Sequence, residues 1–317
     1  MWFSASEYQD QVIKEIETKI EKHKKLYLEL VWNCTDQTDF SNLVNWFPND
    51  IWKKVFAHFK YDLDVFFCIR AEDILDEEKL WTDWKNFKEF LAIYLKKIEN
   101  QYWVKPHIVI NGINVENMYD LIFSFETTFQ KQGYRVREKY KIKAYETPLS
   151  RLLSEDGFGN DDHIPTSKRL IVICGLTPES GKLTTAAAQI YQDWEIWIES
   201  GYAKIDPLAD YQSDKYSLRN IATQARDIYS IWQYWLNDIL ENRDVFNKSE
   251  EKFKFLQKFN ERLGLKIPQN IEDYTIWKLN IDDSEIKNNL SKFLDEEIAN
   301  ADSAMLQEKL VSLKEHL

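Results

Sequence analysis

Along the first two thirds of the chain, the hydrophobic pattern switches repeatedly between a period near four and unbroken apolar runs. Tyr8, Val12, Ile16 and Ile20 recur every four residues among charged positions, which predicts an amphipathic helix with one buried face. Residues 26–32 (LYLELVW) then read as a short strand. Residues 49–60 (NDIWKKVFAHFK) open on an Asn and an Asp suited to capping and read as a helix. Residues 63–69 (LDVFFCI) are apolar almost throughout, the pattern of a strand covered on both faces. A Trp-rich helix is expected over 80–98, a strand over 107–111 (HIVIN), and a helix over 115–130 closed by Gly133. An alternating strand over 134–142 and a further buried strand over 169–174 (RLIVIC) complete the series.

Five strands separated by helices or long connections predict an α/β fold. The expected architecture is a mainly parallel sheet of about five strands with right-handed crossovers and Rossmann-like or P-loop-like layering. After about residue 210 the strand pattern stops. Ile221, Ala225, Ile228, Trp232, Trp235 and Ile239 trace one helical face, and Phe255, Leu256, Phe259 and Leu263 trace another, ended by Gly264. Ile286, Leu290, Phe293 and Ile298, then Leu306, Leu310, Leu313 and Leu317, extend the helical pattern. The predicted organisation is an α/β domain over 1–210 and a helical region over 211–317 packed on it.

Charge narrows the function classes. With 41 Lys and Arg against 53 Asp and Glu, the net charge of −12 lacks the basic face that nucleic-acid binding needs. The stretch 271–317 holds 11 acidic and 5 basic residues, a net −6, and reads as a solvated face. Three widely spaced cysteines, Cys34, Cys68 and Cys174, form no disulfide framework and point to a reducing compartment. Residues 1–10 carry no signal-peptide pattern, and no apolar run approaches 18 residues, so a cytoplasmic protein without membrane spans is expected.

The densest candidate chemistry lies over residues 169–197. A buried strand runs into a loop with Gly175, Pro178, Ser180 and Gly181, and Lys182 then begins a helix with Thr184 and Thr185 in its first turns. Strand, glycine-bearing loop, Gly-Lys and helix is the layout of a phosphate cradle, in which backbone N–H groups and the helix dipole face an anion. Against G-x-x-x-x-G-K-[ST], five residues rather than four separate Gly175 from Gly181, and Leu183 stands where a Ser or Thr would hold Mg²⁺. Glycines serving only a tight strand-to-helix turn are the competing account. Gly157 and Gly159, in SEDGFGN, read as a ligand loop or as an acidic surface turn. Asp73 follows the second strand, where a carboxylate meets a metal or a ribose or else caps a helix. The five histidines have no H-E-x-x-H or C-x-x-C company, so no metal site is predicted, and no catalytic residue is assigned.

Glycine is scarce: the chain has eight, where average usage would give about 22. Four of them, Gly157, Gly159, Gly175 and Gly181, fall within residues 157–181, which marks 154–204 as the place where backbone freedom or close approach is needed.

KHKKLYLEL, VFFCIRAEDI, SEDGFGND, LIVICGLTPESGK, ESGYAKID, ENRDVF and NIDDSEI occur in this order. The ordered set resembles the bacterial domain of unknown function 1846 family, over about residues 5–290. The resemblance implies that Ser180, Gly181 and Lys182 match a phosphate-binding-like turn. It also matches Gly157 and Gly159 to a glycine pair, and Gly201, Tyr202, Ala203 and Lys204 to a Gly-Tyr-Ala-Lys segment. Family members are longer and carry a further C-terminal domain, which this chain is expected to lack. Some are labelled ATP-dependent peptidases.

Two functions follow as expectations. In the first, ATP with Mg²⁺ or another phosphorylated small molecule sits at Ser180, Gly181, Lys182, Thr184 and Thr185. Gly157, Gly159, Asp73 and Lys204 complete the expected cofactor-binding set, and phosphoryl-transfer or hydrolase chemistry follows. In the second, a catalytically inactive scaffold uses its aromatic helices, notably Trp232, Tyr234 and Trp235, for self-association or for a protein partner.

Overall fold

The computed structural model describes residues 5–30, 34, 51–75, 86–142, 147–176, 179–205, 217–233, 248–270, 273–276, 283–301 and 303–317. Among these, one all-parallel sheet of seven strands is flanked by helices on both faces. The chain enters through α1 (Ala5–Lys22) and β1 (Lys25–Leu30). It continues through α2 (Ile51–His58), β2 (Leu63–Arg70), α3 (Ala71–Leu75), α4 (Phe87–Tyr102) and β3 (His107–Ile113). Then come α5 (Val115–Lys131), β4 (Arg135–Tyr140), α6 (Leu149–Leu152), β5 (Leu170–Gly175), α7 (Lys182–Glu195) and β6 (Ser200–Ile205). The last part holds α8 (Leu218–Gln233), α9 (Lys248–Arg262), β7 (Thr275–Ile276), α10 (Asp283–Asn300) and α11 (Ala304–Lys314).

All five expected strands are present, and the strand count is corrected from five to seven by β6 and β7. Both additions escape a periodicity argument for physical reasons. In β6 (SGYAKI), Gly201 breaks the apolar pattern because a Cβ there would stand 2.4 Å from the His23 ring. With only two residues, β7 is too short to show alternation, yet it pairs in register with Lys204 and Ile205. The last third of the chain therefore adds a strand to the same sheet.

The sheet order is β4-β3-β2-β5-β1-β6-β7. From β1 through β4 the chain travels towards one edge, with α2, α4 and α5 packed against Leu28, Phe67 and Ile110. From β5 it turns back, and α7 packs on the opposite face against Tyr27, Phe66 and Ile173. Right-handed crossovers require this change of face when the direction of travel reverses. Burial on both sides explains why β2 and β5 read as continuous apolar runs. Helices α8, α10 and α11 join the first face, while α9 joins the second through Phe255 and Phe259. The side chains at 232, 234 and 235 lie outside those described.

The reversal places a topological switch at the centre of the sheet. Strand β5 lies between β2 and β1, and the helices that follow β2 and β5 leave to opposite faces. A crevice at the carboxyl ends of these strands is the usual ligand position in open α/β sheets.

Candidate functional site at the start of helix α7

The Ser-Gly-Lys turn stands at this switch point, directly after β5. Gly175 ends the strand, where a Cβ would lie 2.4 Å from the Ser180 Oγ and 2.6 Å from the Cys68 carbonyl, so no larger residue fits. Glu179 and Gly181 both have left-handed backbone angles, with φ of 63° and 82°. For Glu179 that conformation carries strain, which the surrounding contacts must offset. Gly181 is the N-cap of α7 and offers the helix no side-chain cap. The first helical bond, from the Thr185 N–H to the Gly181 carbonyl, is 2.8 Å long.

Asn111, at the carboxyl end of β3, braces the turn. Its Nδ2 donates to the Ser180 carbonyl at 3.0 Å, and its Oδ1 accepts the Thr185 hydroxyl at 3.0 Å. A Cβ on Gly181 would stand 2.5 Å from the Asn111 Cγ, so the brace requires glycine for space as well as for its φ. Thr185 also accepts from the Cys68 thiol at 3.5 Å. Burial pushes that thiol up to about 11, against the lowering effects of Thr185, the Lys182 charge and Asn111. Ser180 is buried, and its Oγ has no hydrogen-bond partner among the described residues.

Lys182 is buried at the first position of α7, and Thr184 beside it is half-buried. Asp73 lies at the same sheet edge, one turn after β2, but its carboxylate is engaged by Arg70 at 2.6 and 3.2 Å. In register, Arg70 is the neighbour of Asn111, and Asn111 is the neighbour of Lys139 on β4. Lys139 is itself buried against Asp161 at 3.4 Å. Burial lowers the Lys139 ammonium and raises the Asp161 carboxyl, so desolvation outweighs their mutual attraction. Lys204 lies two strands from β5, roughly 10 Å across the sheet, beside Glu29 in register.

Gly157 and Gly159 lie in the loop after α6. A Cβ on Gly157 would meet the Arg151 carbonyl at 2.2 Å, and one on Gly159 the Ser154 carbonyl at 2.9 Å. Their glycines let this loop fold tightly on the chain around α6. The loop is held by Gln192, whose amide donates to the carbonyls of Phe158 and Asp161. Gln192 is ten residues along α7 from Lys182, or about 15 Å of helix. The structure thus gathers Ser180, Gly181, Lys182, Thr184, Thr185 and Asp73 at one edge, while the loop of the glycine pair is held by Gln192 further along α7. It adds Asn111, Arg70 and Cys68, which sequence reasoning did not select. The signal for two of them was present: Asn111 and Arg70 are polar residues ending otherwise apolar strands at the carboxyl edge.

The opposite end of α7 is fixed separately. Asp193, fully buried, accepts from the Lys25 ammonium at 2.8 Å and the Tyr27 hydroxyl at 2.8 Å, with His163 Nε2 at 3.7 Å. Burial works to raise the Asp193 carboxyl, but His163, Lys25 and Tyr27 overcome it and hold it below the ordinary value.

Among the described residues, no group of three or more His, Cys, Asp or Glu side chains is placed to hold a metal ion. No described helix is long and apolar enough to cross a membrane.

The UPF0371 protein of Corynebacterium glutamicum strain R is 27% identical over 250 residues, which cover 77% of this chain and 50% of that protein. A UPF0371 protein of Corynebacterium diphtheriae is 26% identical over 245 residues, 75% of this chain and 49% of the relative. One from Streptococcus pyogenes serotype M5 is 24% identical over 249 residues, with 77% and 50% covered. The chain spans about half the length of these curated relatives. The family model described as "Domain of unknown function DUF1846, N-terminal" matches residues 1–279, so the chain belongs to the DUF1846 family.

Proposed function

We propose that the start of α7 binds the phosphate group of a small phosphorylated molecule. The observation that carries this reading is the position of a helix N-terminus without a side-chain cap at the central switch point of the sheet. Its turn is held in a left-handed conformation by Asn111. The first N–H groups of α7 and the positive end of its dipole supply the anion's partners there, and Lys182 adds charge.

The residues present fit a phosphate better than a Mg²⁺ ion. The Thr185 hydroxyl is committed to Asn111 and Cys68, and Asp73 is committed to Arg70. A phosphoryl-transfer or hydrolase reaction on Mg²⁺–ATP is therefore the narrower form of the proposal. Thermal unfolding with inorganic phosphate, ATP and ATP plus Mg²⁺ separates the two. Phosphate alone raises the melting temperature in the broad form, and Lys182→Ala removes the rise. A gain confined to ATP with Mg²⁺ supports the narrow form. No shift with any of the three overturns both.

A protein-contact role has its own observation. At the end of α7, Trp194 is 42% exposed and Trp197 is 90% exposed with a left-handed φ of 63°. Such residues are enriched at interface cores. Light scattering across a concentration series, with Trp197→Ala as the comparison, tests self-association through this tip. A mass that stays monomeric throughout argues against it.

A further inference from the structure

We propose that Cys34 and Cys174 form a disulfide when the protein meets a peroxide, tying the segment that leaves β1 to β5 just ahead of the Ser-Gly-Lys turn. The two sulfurs lie 3.3 Å apart, in contact, although 140 residues separate them in the chain. A disulfide needs about 2.05 Å, so the sulfurs must approach by roughly 1.2 Å. The fold fixes the contact from both sides. Cys174 is within β5, next to β1 in the sheet, and the Tyr102 hydroxyl donates to the Cys34 carbonyl.

The third thiol is excluded by geometry. Cys34 and Cys174 belong to the core on one face of the sheet, whereas Cys68 belongs to the other and bonds to Thr185. All three are free thiols in this structure.

The chemistry balances with one peroxide. The thiolate of one cysteine attacks a peroxide oxygen and the O–O bond breaks. A sulfenic acid forms, and the hydroxide that leaves takes up a proton to become water. The second sulfur then displaces hydroxide from the sulfenic sulfur, breaking S–O and forming S–S, and its own proton leaves in the second water. Two thiols lose two electrons in total, and hydrogen peroxide becomes two waters. Both sulfurs are fully buried, and burial pushes the Cys174 thiol well up, so Cys174 carries little thiolate at neutral pH. The reaction is accordingly slow and follows local opening around Cys34. This inference stands independently of the anion reading.

The test is treatment of the folded protein with hydrogen peroxide, followed by unfolding in an alkylating reagent and peptide mass mapping. The expected product has lost two hydrogens, carries one alkylatable thiol at Cys68, and shows the Cys34 peptide joined to the Cys174 peptide until a reductant is added. Cys34→Ser and Cys174→Ser must each abolish the cross-link while Cys68 still alkylates. The same treatment in denaturant should scramble the pairing, which shows that the folded contact selects it. Three alkylatable thiols after treatment, a link through Cys68, or sulfinic acid in place of the bond overturns the proposal.

Discussion

Asn111 Nδ2 donates to the Ser180 carbonyl at 3.0 Å, while its Cγ fills the space a Cβ on Gly181 would need. One side chain from β3 therefore sets both the conformation and the composition of the turn after β5. Removing it leaves the Ser180 carbonyl and the Thr185 hydroxyl without this partner, at a cost of about 1–3 kcal/mol. Asn111→Ala should lower stability by that amount in denaturant unfolding and weaken phosphate binding about tenfold. Gly181→Ala should be worse, by about 2 kcal/mol or more, because φ of 82° and the Asn111 contact both oppose a side chain.

Asp193 anchors the far end of α7 to β1 through Lys25 and Tyr27. Asp193→Asn leaves a buried ammonium without its counter-charge, and a loss of about 3–5 kcal/mol is expected in urea unfolding. The pH dependence has a definite sign. The folded carboxyl is held below its ordinary value, so its contribution is complete above pH ~4 and is lost as pH falls through the folded value. The variant should lack that acid limb.

The Lys139–Asp161 pair predicts a different outcome. Both groups are shifted towards their neutral forms by burial, so the pair is held at a cost. Lys139→Met alone should destabilise by about 3–5 kcal/mol, because Asp161 stays buried. Lys139→Met with Asp161→Asn should recover most of that loss. A double variant no more stable than the single one would show that the ion pair itself is favourable.

Glu126, half-buried on α5, is pushed up to about 7 by burial and by the charges of Glu138 and Asp162, against Arg137. A raised folded value means that the folded state holds its proton longer than the unfolded chain. Stability therefore falls as pH rises from about 4.3 through 7. With water screening allowed for, Glu126→Gln should stabilise the protein by about 1 kcal/mol at pH 8 and leave it unchanged at pH 4. Melting curves at the two pH values check this.

What the sequence made legible was whatever rests on local burial. Apolar runs such as 63–69 and 169–174 became strands because helices cover both sides of the sheet. Gly133 and Gly264 ended their helices with φ of 81° and 67°, as single residues free of Cβ can. Lys182 opened α7 as the Gly-Lys spacing suggested. What stayed hidden depends on strand order. Nothing local says that β5 inserts between β2 and β1, so the approach of Asn111 to Ser180, 69 residues away, left no trace in the pattern. The glycine cluster divides for the same reason: Gly157 and Gly181 are near in sequence, but they serve two different close approaches.

The account turns on an anion at the start of α7, and amide chemical shifts read that position directly. In a transverse-relaxation-optimised ¹⁵N–¹H titration with inorganic phosphate, the amides of Gly181, Lys182, Leu183 and Thr184 should move together along one saturating curve. The Lys182→Ala protein should need a higher phosphate concentration, and amides near Gly157 should stay still. Phosphate that moves none of the 181–184 amides, or moves them equally in wild type and Lys182→Ala, contradicts the account.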